Sequence, residues 1–293
     1  MRADYGVPDS TRSRAPRVGR ARVRSRRGDP RCGTVSVMGP VRTELMWQSV
    51  VDAVDLTGSG DRLDVLDLGG GTGGDAVRLA ALGHRVTVVD PSPDALASLH
   101  RRGVDAGLAE GVTGVLGDAD DLLDHLSPAS FDLVVCHGVI EYVDDPGQAL
   151  SMIATVLRPG GHVSVVAAGR NAAVAARALA GDFVTAQALL GRTSDTWDVR
   201  TMGPRRFVVA ELADLLTAHG FAPVSTTGLR IFADLVPSAL VDTEPGARDA
   251  LYALERLLST SADFTALSAG LHTIARLDLS SATSDPGGKR AAI

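Results

Sequence analysis

The sequence predicts an α/β protein built on a doubly wound, mostly parallel, seven-stranded sheet. Three observations carry that expectation. From Val41 onward, apolar runs of strand length alternate with stretches of helical spacing, the pattern of strand-helix-strand units. The run Phe131-Asp132-Leu133-Val134-Val135-Cys136-His137 is almost continuously apolar, as a strand covered on both faces must be. And Val65-Leu66-Asp67-Leu68 feeds Gly69-Gly70-Gly71-Thr72-Gly73-Gly74, with five glycines in six positions, before a helical pattern resumes.

The elements follow in order. Val41, Leu45, Met46, Val50, Val51 and Val54 have helical spacing, and Gly58-Ser59-Gly60-Asp61 links that helix to the first strand, Val65 to Leu68. After the glycine turn, Ala76, Val77, Leu79, Ala80 and Leu82 mark a helix, and His84 to Asp90 is a second strand. A helix from Pro93 to His100, a third strand from Val112 to Leu116 and an acidic loop, Gly117 to Leu122, come next. Strand four, Phe131 to His137, leads to a helix at Gly147 to Leu157, the turn Arg158-Pro159-Gly160-Gly161 and strand five, Val163 to Ala168. An Ala-rich helix, Ala172 to Leu190, and a polar segment, Gly191 to Arg206, interrupt the alternation, so residues 171 to 206 are expected to lie over the strand ends as a lid. Helix Val209 to His219, strand Val224 to Thr227, helix Ala247 to Leu258 and strand Leu271 to Leu277 complete the fold.

Composition divides the chain. The net charge is −6, yet residues 1 to 33 carry ten Arg against Asp4, Asp9 and Asp29, a net of +7, which leaves the remainder at about −13. Residues 1 to 36, rich in Arg, Gly, Pro and Ser, are expected to be disordered, as is a tail at 281 to 293, with the folded domain between, over 37 to 280. The basic segment reads either as an arm for RNA or as a solvated extension preceding a true start at Met38. Two cysteines in unlike contexts, Cys32 and Cys136, exclude a disulfide framework and offer no metal site. No apolar run approaches the roughly 18 residues of a membrane span, so a cytoplasmic protein that does not engage a membrane is expected.

The glycine stretch carries the functional signal. A turn that takes left-handed backbone angles, and on which a ligand lies against bare main chain, needs glycine. Gly69-x-Gly71-x-x-Gly74 fits the dinucleotide fingerprint, so these residues alone serve NAD and S-adenosyl-L-methionine equally. Asp90 ends strand two about 20 residues later, the spacing of a carboxylate that reaches ribose hydroxyls, with a helix cap before Pro91 as the bland alternative. Asp118 and Asp120 follow strand three, where an acid can accept from an adenine amino group. His137 ends strand four, where ligands of doubly wound sheets bind; it is a weak candidate for a general base, with a hydrogen-bonding or packing role as the alternative.

Taken together with the turn Leu157-Arg158-Pro159-Gly160-Gly161, these landmarks over residues 60 to 168 resemble a class I S-adenosylmethionine-dependent methyltransferase, which has a Rossmann-like sheet. A narrower likeness, to the tRNA 5-carboxymethoxyuridine (uridine 5-oxyacetic acid) carboxyl methyltransferases, rests on Arg42 ahead of Trp47-Gln48, Asp67-Leu68-Gly69-Gly70-Gly71 and His137-Gly138-Val139-Ile140-Glu141-Tyr142-Val143. Ala180-Gly181-Asp182-Phe183, Gly228-Leu229-Arg230-Ile231-Phe232 and His272-Thr273 continue it. The resemblance implies that Arg42, Gly69, Gly70, Asp90, Ala119, Asp120 and His137 contact the cofactor, with Arg42 paired to its carboxylate; Asp67, Gly71 and Asp118, beside them in the chain, complete the expected cofactor site. It implies an anionic acceptor, the tRNA wobble carboxylate or otherwise a small anionic metabolite, for which Arg205, Arg206 and Arg230 are candidate holders. A non-catalytic cofactor-binding module is the alternative from another class.

Overall fold

A computed structural model describes residues 41–58 and 62–278. The expectations for residues 1 to 36 and for the tail at 281 to 293 lie outside the described residues. Seven strands form one sheet: β1 (Asp64–Leu68), β2 (Arg85–Asp90), β3 (Val112–Leu116), β4 (Phe131–His137), β5 (Leu157–Ala168), β6 (Phe221–Leu229) and β7 (Gly270–Leu277), in the order β3-β2-β1-β4-β5-β7-β6. Pairings among β1 to β5 are parallel, and β7 lies antiparallel between β5 and β6. The sheet is therefore mostly parallel, as expected.

Strand period dictates two cores. Leu66 and Leu68 of β1, with Val134 and Cys136 of β4, face one way and pack against α5 (Pro146–Val156) and α9 (Val209–Ala218). Val65 with Leu133 and Val135 face the other way, against α1 (Val41–Thr57), α2 (Gly74–Ala81) and α3 (Pro93–Asp105). Both faces being dry, the strands read as unbroken apolar runs instead of alternating ones. Successive strands leave β1 toward β2 on one side and toward β4 on the other, so the carboxyl ends of β1 and β4 flank a crevice at the point where the winding reverses.

Differences from the sequence expectation have local causes. The expected Ala-rich helix is two, α6 (Arg170–Leu179) and α7 (Phe183–Leu190). Gly181 takes φ 78°, and the Asp182 carboxylate accepts from the Thr185 N–H (3.2 Å), a stop followed at once by a cap. β5 begins at Leu157, taking the Arg158-Pro159-Gly160-Gly161 turn into the strand with a register shift opposite Phe131 to Leu133. Two short helices, α4 (Leu122–His125) and α8 (Val199–Met202), sit in segments read as loops, and α10 (Ser238–Thr243) and α12 (Ala262–Thr265) flank α11 (Ala247–Leu258). Among the described residues no helix is long and apolar enough to cross a membrane, and no group of His, Cys, Asp or Glu could hold a metal ion.

Candidate active site

The glycine turn is shaped by its own backbone. The Gly69 N–H donates to Val89 O (2.7 Å), and Gly73 N–H to Gly70 O (3.0 Å), folding the chain back before α2 starts. Gly69 has φ 70°, and a Cβ there would collide with the Val139 side chain. Gly73, at the N-cap of α2 with φ 72°, has the Leu99 side chain where a Cβ would go. Any other residue at these two positions meets both backbone strain and a neighbouring side chain.

Asp90 braces this turn. Its Oδ2 accepts from the Gly71 N–H and its Oδ1 from the Ser92 N–H, both at 2.9 Å. The cap of α3 is Ser92, whose hydroxyl accepts from the Ala95 N–H (3.2 Å), so Asp90 is not the helix cap. Behind the turn Asp67 is buried, its carboxylate where a Cβ on Gly70 would go. Burial first, then the charges of Asp75 and Asp90, push its pKa up to about 7.

These residues open onto a cavity of about 420 Å³. Gly69, Asp90, Asp118, Asp120, Gly138 and Tyr142 are among its lining. Ala119 lies behind them: its methyl is in the core, and its N–H donates to the Asp118 carboxylate (2.6 Å). Asp120 has its pKa raised, by burial first and then by Asp118, Asp144, Asp145 and Asp121. His137 adjoins the cavity through Gly138, but its Nε2 is hydrogen-bonded to Ser164 Oγ (2.7 Å), which also bonds His272 Nε2 (2.9 Å). Burial, then His272, hold the His137 pKa well below its ordinary value. It is a neutral ring tied into a buried network and a poor proton acceptor.

Arg42 does not line this cavity. Its Nε pairs with Asp234 Oδ1 (2.7 Å), and its Nη2 donates to Ala233 O (3.3 Å). Asp234 also meets Arg230 Nη1 (3.5 Å), and that pair belongs to a second cavity of about 450 Å³. α6 supplies one wall through Ala172, Ala173 and Ala176, and Arg206, Arg230 and Phe232 line it too. Arg206 is half-buried and makes no hydrogen bond or ion pair among the described residues; burial lowers its pKa from the ordinary arginine value, opposed chiefly by Glu141. Arg230, a non-glycine residue at φ 57°, has a buried Nε without a partner. Arg205 stands apart from its neighbour: its guanidinium donates to Ser194 O (3.1 Å), Val143 O (2.9 Å) and Asp144 O (3.3 Å). Those bonds commit Arg205 to holding two loops together and leave it unsuited to gripping an anion.

Sequence reasoning left Glu141 and Asp234 without a role. Glu141 is buried, its Oε2 lacks a partner among the described residues, and burial pushes its pKa up to about 7 against the pull of its own backbone N–H, Arg230 and Arg206. One signal was present in the chain: a lone acid inside the apolar run Val139-Ile140-Glu141-Tyr142-Val143.

Residues 66–165 match a family model described as a methyltransferase domain. The chain is 31% identical over 182 residues to a ubiquinone biosynthesis O-methyltransferase of Paraburkholderia phymatum, covering 62% of this chain and 73% of that protein. The chain belongs to the S-adenosylmethionine-dependent methyltransferases. It is also similar to the tRNA 5-carboxymethoxyuridine methyltransferase of Escherichia coli K12, 28% identical over 239 residues, 81% of this chain and 88% of that one. A crystal structure of an S-adenosylmethionine-dependent methyltransferase from Mesorhizobium loti shares the fold, with a TM-score of 0.53, 22% identity, and coverage of 79% and 99% of the two chains.

The methyltransferase's cofactor is S-adenosylmethionine, and the residues of the first cavity fit it. Bare glycine backbone suits a ligand that needs close approach, and the carboxylates of Asp90, Asp118 and Asp120 suit its sugar hydroxyls and base amino group.

Proposed function

We propose that this methyltransferase esterifies an anionic acceptor, the carboxylate of 5-carboxymethoxyuridine at the wobble position of a tRNA, in the cytoplasm. The observation that carries the anionic acceptor is the pair Arg206 and Arg230 on one cavity: Arg206 makes no hydrogen bond or ion pair among the described residues, and Arg230 Nε is buried without a partner. A guanidinium nitrogen buried without a partner is costly unless an acceptor completes it, and a guanidinium suits a carboxylate bidentately. The similarity to the Escherichia coli enzyme, which runs over most of that protein's length, supports the choice of acceptor.

In this reading Gly69, Gly70 and Gly71 lie against the cofactor, Asp90 accepts from its ribose, and Asp118, Ala119 and Asp120 border its adenine. Asp67 and His137 back the pocket from behind. Arg42 leaves Asp234 to meet the cofactor carboxylate. Once bound, S-adenosylmethionine supplies an electrophilic methyl group on a sulfonium. Arg206 and Arg230 then hold the acceptor carboxylate in line with that methyl, and α6 shuts out water as a lid. Such positioning supplies about 7 to 11 kcal/mol of a barrier. A carboxylate is ionised at pH 7, so no residue has to remove a proton.

A second reading, a small acidic metabolite, is favoured by the alanine wall of the acceptor cavity and by the charge of about −13 outside the first 33 residues. Tritiated methyl transfer into total tRNA and into total small metabolites of the source cell separates the two. Label in tRNA that mild alkali releases is the expected result, because an ester hydrolyses where an ether or N-methyl group survives. Label confined to small molecules overturns the tRNA reading.

A further inference from the structure

Three guanidiniums converge on the second cavity. Arg177, Arg206 and Arg230 line it, and Asp234 is the one acid among its described lining residues. Asp234 is shared, since it also pairs with Arg42 (2.7 Å), which does not line that cavity. Three arginines against one acid leave two positive charges, and a single acceptor carboxylate offsets one of them. Gathering like charges at one cavity is unfavourable until anions arrive to match them. Burial lowers the Arg206 pKa first; Glu141 and Tyr142 oppose that, and Arg177 and Arg230 add to it, so Arg206 feels both of the other cations.

Arg177 differs from the other two in place and in commitment. It stands on α6, one turn beyond Ala173, and so belongs to the same wall as the alanines. Its side chain is 58% exposed against 29% for Arg230, and Arg206 is half-buried, which puts Arg177 at the mouth and the other two deeper. Its Nη1 lies 3.6 Å from the Asp182 carboxylate, too long for a hydrogen bond, and an exposed pair of that kind contributes little. The other Asp182 oxygen is taken by the Thr185 N–H at the cap of α7. The Arg177 guanidinium is therefore weakly held and can turn to a ligand at the mouth.

We propose that Arg177 is a specificity-determining residue of the acceptor site, holding a second anionic group, a phosphate or a further carboxylate, on a ligand whose first carboxylate is held by Arg206 and Arg230. The acceptor class is thus an acid with a second anion, the two lying at different depths of the cavity. This rests on the reading above that the second cavity takes the acceptor. A nucleotide bearing a carboxylate meets the description through its phosphate, and a dicarboxylic acid through its second acid group. Arg177 takes no part in the transfer itself; it selects acids that bring another charge.

The test is calorimetry of the 293-residue chain saturated with S-adenosylhomocysteine, with two pairs of probes. 5-Carboxymethoxyuridine and its 5′-monophosphate differ by a phosphate, and benzoate and isophthalate differ by a carboxylate. In at least one pair wild type is expected to bind the more highly charged probe about tenfold more tightly. Arg177→Ala should bring that ratio to about one while keeping S-adenosylhomocysteine affinity, and Arg177→Lys should restore only part of it, since an ammonium lacks the guanidinium fork. Arg101→Ala, at an exposed arginine of α3, should leave the ratio unchanged. A preference in the nucleoside pair makes the second group a phosphate, and one in the benzoate pair alone makes it a carboxylate. Ratios near one in both pairs, a preference that survives Arg177→Ala, or one that Arg101→Ala removes equally overturns the role of Arg177 and leaves the tritium experiment to judge the esterification reading separately. Failure of wild type to bind any of the four probes overturns the second cavity as the acceptor site.

Discussion

At the residue scale, Asp67 and Asp90 hold the glycine turn in different ways, Asp67 buried behind it and Asp90 hydrogen-bonded to its backbone. Asp67 holds its proton to about pH 7 because it is buried near two other acids, whereas the unfolded chain releases it near the ordinary value of 3.8. Between those pH values the folded state binds more protons than the unfolded one, so this group lowers stability as pH rises through the window and leaves it level above. Asp67→Asn should therefore raise Tm at pH 8 by several degrees and leave it unchanged at pH 4, with about 1.4 kcal/mol at stake per unit of displacement. Thermal melts across that range check it, and equal shifts at both ends would refute the protonated carboxyl. Asp90 satisfies two backbone N–H groups, Gly71 and Ser92. Asp90→Ala leaves both without that partner and removes the carboxylate from the first cavity. Its affinity for S-adenosylhomocysteine should fall at least tenfold by calorimetry, with a loss of stability of about 1 to 3 kcal/mol.

At the scale of elements, the segment between α7 and α9 is tied to the loop after β4 by one side chain. Arg205 is 6% exposed and fills three carbonyls across that junction, while its own N–H donates to Glu141 O (2.8 Å). Arg205→Ala would strand those carbonyls. A fall in stability of about 2 to 4 kcal/mol is expected in urea unfolding, and Arg205→Lys should restore little, since an ammonium cannot span the same fork. A variant that melts like wild type while its acceptor KM rises would return Arg205 to the substrate site. The same region shows what was legible in the sequence. β1, the glycine turn, β2 and β4 could be read because burial on both faces and a glycine-only turn leave local marks in the chain. The break between α6 and α7 was marked by Gly181-Asp182, but the alanine and leucine pattern on both sides has the same helical spacing. The pairs Arg42 with Ala233 and Arg205 with Val143 lie 191 and 62 residues apart, and no periodicity reports them. Hence the residues that line the first cavity were legible from local motifs, while the commitments of Arg42 and Arg205 and the burial of Glu141 became visible only once distant segments were brought together.

At the scale of the whole molecule, the charge distribution poses a problem for a tRNA acceptor. Phosphate contacts dominate RNA affinity, and the chain beyond residue 33 carries about −13. A cavity holding Arg206 and Arg230 can read one carboxylate, but it cannot attract a polyanion through that field. The cations available are those of residues 1 to 33, at +7, all of which an initiation at Met38 would omit. A chain beginning at Met38 should therefore keep its affinity for S-adenosylhomocysteine and raise KM for tRNA about tenfold or more at low salt. The 293-residue chain should show a falling log-log dependence of tRNA affinity on salt, with a slope of about −0.7 to −0.9 for each phosphate neutralised, and the shortened chain a shallower one. Filter binding across a salt series measures both. Equal slopes for the two chains would mean that the basic segment takes no part in holding RNA, and a flat response in both would shift the acceptor from tRNA to a small acid that the alanine-walled cavity encloses alone.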